Sequence, residues 1–474
     1  MEQMDYLLSE IKDWVWGMPL LVLLIGTGAY LTLILKGVQF RYLGYAIKQV
    51  FAAQRKDSQG DISHFEALMT SLAGAIGTGA IVGVATAIAV GGLGAMFWMW
   101  LTAFLGMATK YAESLLAVKY RSMDHKGEMM GGPMQYIEKG LGWKWMAIAF
   151  AAIGAFAALT TGNLVQINSI AEAMGTVWDL PPFLTGVILA VLTGLVIVGG
   201  IKSIGNVAGV MVPVMALFYI GGGLTIIFLH LDKIPEALSK IISSAFQGQA
   251  AVGGFLGASA MMAIQMGVAR SIFSNEAGLG ISSIAAAAAR TDSPGRQAMI
   301  TMTGALLSTV IVCSITGLVI AVTDVIGKTT ESGQTLNGAS MAIAAFSSSI
   351  PAGGYIVTIG LVLFAFSTAI AWAYYGEKCF EYIFGSRSVI AYRILFTLIV
   401  IPGAVLKIDT VWHLADISNG LMVVPNLIAL IALSSVIVSE TKAFIKIIKQ
   451  EKAAQSEIPL GSACVESAAG QQGD

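Results

Sequence analysis

Stretches of about 20 apolar residues, the length that a bilayer core requires, recur along nearly the whole chain, and two of them are broken in the middle. The interruptions are Gly74-Ala75-Ile76-Gly77-Thr78-Gly79 and Ser274-Asn275-Glu276-Ala277-Gly278-Leu279-Gly280. A bilayer tolerates unpaired backbone N–H and C=O groups only where they line a protected cavity. A pair of such breaks at corresponding places in two halves points to a binding site between inverted repeats. With 474 residues, 56% hydrophobic and 12% charged, the chain carries more apolar surface than a soluble core can hide. It reads as an all-α polytopic membrane protein with no room for a separate soluble domain.

The apolar windows predict eleven spans, near 14–36, 67–90, 94–118, 144–165, 181–200, 206–230, 250–289, 297–324, 353–376, 388–408 and 412–439. Residues 1–16 carry Glu2, Asp5, Glu10 and Asp13 where a cleavable signal would place positive charge, so the first helix is expected to be retained. Assigning the 27 Lys and Arg to alternating loops puts about 20 on one side and about 5 on the other, which predicts a cytoplasmic C-terminus and an outside N-terminus in a plasma membrane. An odd number of spans follows. Breaks in the second and seventh spans imply a five-plus-five inverted repeat behind one extra N-terminal helix.

The expected units are therefore 1–66, the extra helix with a cytoplasmic amphipathic segment; 67–230, the first repeat; 250–439, the inverted second; and 440–474, a cytoplasmic tail, disordered from Ala453 onward. Residues 324–354 form a long outer loop. Its Asn337-Gly338-Ala339-Ser340 and following apolar run suggest a short lid, or else a plain connection.

Where the second span breaks, the N–H groups of Thr78 and Gly79 start a new half-helix. That end is the positive pole of the helix dipole and suits a carboxylate. The outer half of span seven is expected to end near Ser271-Ile272-Phe273, whose carbonyls form a negative pole suited to an ammonium. N–H groups on one helix and C=O groups on another fit a zwitterion, and a small α-amino acid better than a sugar, peptide or lipid. Gln166, Asn168 and Trp372 are candidates for the cavity wall, and Asn275 either faces the substrate or stabilises the unwound turn.

Arg270 and Glu276 flank the second break and read as a neutralising pair that clamps it, or as functional charges. Lys110 and Glu113, at i,i+3 near the cytoplasmic end of span three, are expected to pair and snorkel, as structure or as part of an inner gate. Ser367 and Thr368 offer hydroxyls that suit sodium if they face the carbonyls of Ala73 and Ile76; otherwise they bond to their own backbone.

No enzyme constellation is present. His64, His125, His230 and His413 show no HExxH spacing, no nucleophile elbow appears, and the Gly-rich stretches lack a P-loop Lys. Cys313, Cys379 and Cys464 are too scattered for a disulfide framework or zinc site. Neither catalysis, nucleotide hydrolysis, nucleic-acid binding nor an obligate protein partner is suggested. A lipid bilayer is the one large partner implied.

Several longer motifs carry a family resemblance. Gly91-Gly92-Leu93-Gly94-Ala95-Met96-Phe97-Trp98-Met99-Trp100-Leu101-Thr102-Ala103 resembles a signature of the alanine or glycine:cation symporter family. So do Gly267 to Gly280, Gly131-Gly132-Pro133-Met134, Trp372 to Glu377 and Leu414 to Met422. This family lies in the amino acid, polyamine and organocation superfamily, and the resemblance implies a leucine-transporter-type fold that imports alanine or glycine with sodium. It implies that Thr78 and Gly79 hold the carboxylate, that Phe273 and neighbouring carbonyls hold the ammonium, and that Gln166 and Trp372 shape the pocket. By the same analogy the carbonyls of Ala73, Ile76 and Phe364 join Ser367 and Thr368 in a sodium site. The chain departs from the family where Gly-Asn-Ile-Ala-Gly is common, reading Gly79-Ala80-Ile81-Val82-Gly83. Alternatives from the residues alone are proton coupling through Glu276, and a passive channel or receptor on a transporter fold.

Overall fold

The computed structural model describes residues 2–53, 58–124, 126–246, 256–329, 333 and 335–456. Helix α1 (Glu2–Val15) meets α2 (Met18–Ile34) at a bend of 41°, where Gly17 and Pro19 interrupt the chain. The short helices α3 (Val38–Arg41) and α4 (Leu43–Val50) follow, where an amphipathic surface segment is expected. Helix α5 (His64–Ala75) opens with a capping box: Ser63 Oγ accepts from Glu66 N at 3.1 Å, and Ser63 N donates to Glu66 Oε2 at 2.7 Å. It stops at Ala75, and a single 3-10 turn, Thr78–Ala80, leads into α6 (Val82–Gly91).

Helix α7 (Gly94–Lys119) is buried without interruption from Gly106 to Val118 and acts as a central post. Beyond the two-stranded antiparallel hairpin β1 (Ser122–Met123) and β2 (Met129–Met130) come α8 (Pro133–Leu141) and α9 (Lys144–Leu159). A π-helical turn, Thr160–Leu164, joins α9 to α10 (Val165–Trp178). The first half ends with α11 (Pro182–Val198), α12 (Gly200–Leu229) and α13 (Ile234–Phe246).

The second half begins with α14 (Leu256–Asn275) and, past its break, α15 (Ser283–Ala287). Helix α16 (Pro294–Ala305) runs through a π-helical stretch into α17 (Ser314–Val322). The outer loop holds α18 (Gly338–Ser347), capped by Asn337, where a short lid is expected. Helix α19 (Gly353–Phe384) is the second buried post, followed by α20 (Val389–Val405), α21 (Ile408–Ala432) and α22 (Ser434–Ser456).

Among the described residues six continuous helices are long and apolar enough to cross a membrane, or seven with the bent α1–α2 pair. The other four expected crossings are helical too: α7 stands outside that group, α11 is shorter, and α5–α6 and α14–α15 are broken. Around the rim, Leu195, Val210 and Leu217 are about 70% exposed. Apolar side chains ringing the molecule at this exposure form a surface that lipid covers, so the chain is a multi-pass membrane protein.

The expected boundaries shift in three places. Span four runs on to Trp178 because the π-helical turn absorbs a residue without ending the helix, and span nine extends to Phe384 before Gly385 adopts a positive φ. The segment 453–456, expected to be disordered, continues α22, whose apolar residues Phe444 and Ile448 are buried against the bundle. The rest of the tail, His125 and residues 250–255 of span seven lie outside the described residues.

Candidate substrate and ion site

The two breaks meet at the centre of the bundle. A Cβ at Gly79 would stand 2.7 Å from Phe273 Cδ1 and 3.3 Å from the Phe273 carbonyl oxygen, and one at Gly77 would stand 2.4 Å from Thr368 Oγ1 and 2.9 Å from Gln166 Oε1. Only glycine admits such close approach. The start of the outer half of span two therefore lies against the last turn of α14.

Two expectations are corrected at the carboxylate pole and the break. The Thr78 N–H is not free: it donates to Gln166 Oε1 at 3.1 Å, while Gln166 Nε2 donates to the Thr161 carbonyl at 3.0 Å. A buried N–H must find a partner, and the π-helical turn beside Gln166 supplies one. The neighbouring Gly79 N–H makes no hydrogen bond among the described residues. Helix α14 also continues two residues past Phe273, to Asn275, before Glu276, Gly278 and Gly280 take positive φ values of 59°, 93° and 75°.

Asn275 serves the turn: its Oδ1 accepts from Ala277 N at 2.9 Å and its Nδ2 donates to Ser271 Oγ at 3.1 Å. Of its two expected roles, stabilising the turn is the one seen. Asn168 ties α10 to the end of α20 through the Gly403 and Leu406 carbonyls. Trp372, almost fully buried, donates to the Gly74 carbonyl at 3.3 Å and so stands beside the first break.

The charged pairs are re-sorted. Arg270 does not pair with Glu276. Its Nη2 contacts Asp416 Oδ2 at 2.7 Å, and its guanidinium lies 4.8 Å from the Trp412 ring centre. Trp412 in turn packs on Phe273, with ring centres 5.0 Å apart.

Lys110 and Glu113 neither pair directly nor snorkel, because both are wholly buried. Lys110 Nζ donates to the Asn275 carbonyl at 2.7 Å, a cation on the negative pole of α14. Glu113 Oε1 accepts from Gly278 N at 2.9 Å, Gly280 N at 3.1 Å and Asn426 Nδ2 at 2.7 Å. Span three thus provides the clamp on the break that is expected of Arg270 and Glu276. Glu276 is buried, its carboxyl oxygens without a well-aligned hydrogen bond among the described residues, with Trp372 and Ser282 close by and Lys110 as its charged neighbour.

Of the two hydroxyls expected at the first break one is there: Thr368 Oγ1 donates to the Ala73 carbonyl at 2.7 Å, whereas Ser367 Oγ bonds its own backbone at the Phe364 carbonyl, 2.8 Å, and lies 3.5 Å from Met215 Sδ. Ile76 ends α5 with a non-helical ψ of 71°. Uncharged carbonyls and hydroxyls on two helices are the donor chemistry that a hard monovalent cation takes, and the bare Gly77 leaves Thr368 Oγ1 room beside them.

The two faces of the bundle differ. On the face carrying α18, a cavity of about 490 Å³ is lined by Val82, Thr86, Arg270, Asn337, Trp412 and Asp416, among others. On the opposite face, residue pairs Gln59–Thr291 and Ile62–Ala289 form backbone bridges, and Arg121 Nη1 donates to the carbonyls of Ala287 and Ala289, each at 2.8 Å. Lys378 reaches Glu128 at 2.9 Å and Glu381 at 3.0 Å nearby. Asp61, which accepts from Met129 N at 2.8 Å, joins this seal, and burial pushes its carboxyl up from the usual range. Asp416 and Trp412 are absent from the residues singled out by sequence, although an acid inside a membrane segment is itself a signal.

Residues 1–458 match the model of the sodium:alanine symporter family. The sodium/alanine symporter AgcS of Methanococcus maripaludis is 53% identical over 456 residues, covering 94% of this chain and 99% of that protein. An uncharacterized transporter of Haemophilus influenzae is 50% identical over 455 residues, 96% of this chain and 99% of that protein. Among solved structures, MhsT in complex with L-phenylalanine aligns with a TM-score of 0.59 at 15% identity, over 81% of this chain and 93% of that one, which shows the leucine-transporter-type fold. Matched along nearly its full length in sequence and over 81% of it in fold, the chain belongs to the sodium:alanine symporter family.

Proposed function

We propose that the protein imports a small neutral amino acid, alanine or glycine, together with sodium across the plasma membrane by alternating access. The observation that carries this reading is the meeting of the Thr78–Gly79 N–H pole with the Phe273 carbonyl, beside the oxygen cluster of Ala73 and Thr368. The similarity to a sodium/alanine symporter supports the same substrate and ion.

In this account the substrate carboxylate displaces the Gln166 amide from Thr78 N–H and adds the Gly79 N–H, while the ammonium turns to the last carbonyls of α14. Ala73, Ile76, Phe364, Ser367 and Thr368 hold sodium, which is cargo. Phe273 and Trp372 close the pocket to long side chains, so leucine is excluded. The Arg270–Asp416 pair, above Phe273, separates the site from the open cavity, and the Arg121, Asp61 and Lys378 contacts seal the far side.

The topology proposed is eleven spans, with the N-terminus outside, the C-terminal helix cytoplasmic and the repeats at 67–230 and 250–439. The test is equilibrium binding of labelled alanine to the purified protein in sodium and in potassium. Binding that requires sodium, competed by glycine and not by leucine, is the expected result. Equal binding in potassium would refute the sodium site.

A further inference from the structure

Helix α22 has an uneven charge arrangement that transport does not use. Its two acids face the protein: Glu440 pairs with Lys119 at 2.6 Å, and Glu451 reaches Arg296 at 2.7 Å and Tyr45 Oη at 3.0 Å. Its four lysines, Lys442, Lys446, Lys449 and Lys452, are all exposed, and none forms an ion pair among the described residues. Spaced at i, i+4, i+7 and i+10, they make one stripe. Phe444 and Ile448, on the other side of the helix, are buried.

Helix α4 packs on α16 and reaches α22 through the side chain of Tyr45. The Tyr45 and Phe444 rings sit 6.3 Å apart, and Arg296 bonds both Tyr45 and Gln49. On its remaining surface α4 presents exposed Lys48 and Ile47, and at its end Phe51, 78% exposed with its ring 6.3 Å from that of Phe65. A stripe of ammonium groups on a helix that leaves the membrane helix α21 with one intervening residue, joined through Tyr45 to a second helix with exposed Lys48, Ile47 and Phe51, matches the surface of an anionic bilayer. An acidic soluble partner would leave Ile47 and Phe51 without a counterpart.

We propose that α22 and α4 together form a docking surface for anionic phospholipid headgroups of the adjoining leaflet. Positive charge on long flexible stems can follow a mobile phosphate, whether carried by an ammonium or a guanidinium. The surface lies on the sealed face, through Lys119 and Arg296, and away from the substrate site.

The test is native mass spectrometry of the full-length protein in detergent, titrated with phosphatidylglycerol or phosphatidylcholine. Wild type should retain phosphatidylglycerol in preference, and a K442Q/K446Q/K449Q/K452Q variant should need about tenfold more of it, while the four-arginine variant binds as wild type does. A glutamine variant that retains phosphatidylglycerol as wild type does would overturn the proposal. So would equal retention of both lipids by wild type. Sodium-dependent alanine binding by each variant reports folding, and because the lipid readout does not depend on it, failure of the transport reading and failure of this one are distinguishable.

Discussion

At the residue scale, the most informative side chain is Gln166, whose amide oxygen sits where a substrate carboxylate is expected to bind on Thr78 N–H. A tethered carboxylate at this position would compete with the substrate. Gln166→Glu should therefore raise the alanine concentration needed for half-maximal uptake by at least about tenfold, or about 1.4 kcal/mol, measured as initial uptake against alanine. Thr368→Val keeps the shape and removes a hydroxyl that contacts Ala73. It should weaken the apparent sodium affinity more than the alanine affinity, which sodium titrations at fixed alanine will read. The contact of Thr368 with Ala73 is legible in the sequence because a hydroxyl and a broken helix each lack something that the other supplies. The capture of Thr78 N–H by Gln166 is not, since it depends on a π-helical turn that no local pattern announces.

At the scale of elements, both broken helices are readable, because a glycine cluster inside an apolar run frees backbone groups that only a protected cavity can satisfy. How the second break is held is not readable in this way. Lys110 and Glu113 at i,i+3 resemble a pair along one helix, yet each turns to the backbone freed by α14. Sequence spacing reports which residues share a helix face, not which neighbour that face meets. The consequence is measurable. Lys110→Met leaves the Asn275 carbonyl and Glu276 without their cation, and removing one partner from buried charges costs about 3–5 kcal/mol. Thermal unfolding in detergent should show a large loss for Lys110→Met, and Lys110→Met/Glu276→Gln should lose less than the sum of the single variants. Additive losses would mean that the two side chains do not interact.

For the whole molecule, one face holds a cavity reaching Arg270 and Asp416, and the other is bridged by backbone and charge. This asymmetry is what one state of an alternating-access cycle requires. If the Arg270–Asp416 pair closes the proposed site off from the cavity that it lines, Asp416→Asn should slow uptake while leaving sodium-dependent alanine binding within a few-fold of wild type, as comparison of the two assays will show. The most direct test of the central claim is uptake of labelled alanine into proteoliposomes under an inward sodium gradient, set against matched potassium and proton gradients. The account predicts accumulation above the external concentration with sodium alone; accumulation driven equally by potassium or protons, or mere equilibration in every gradient, would contradict it.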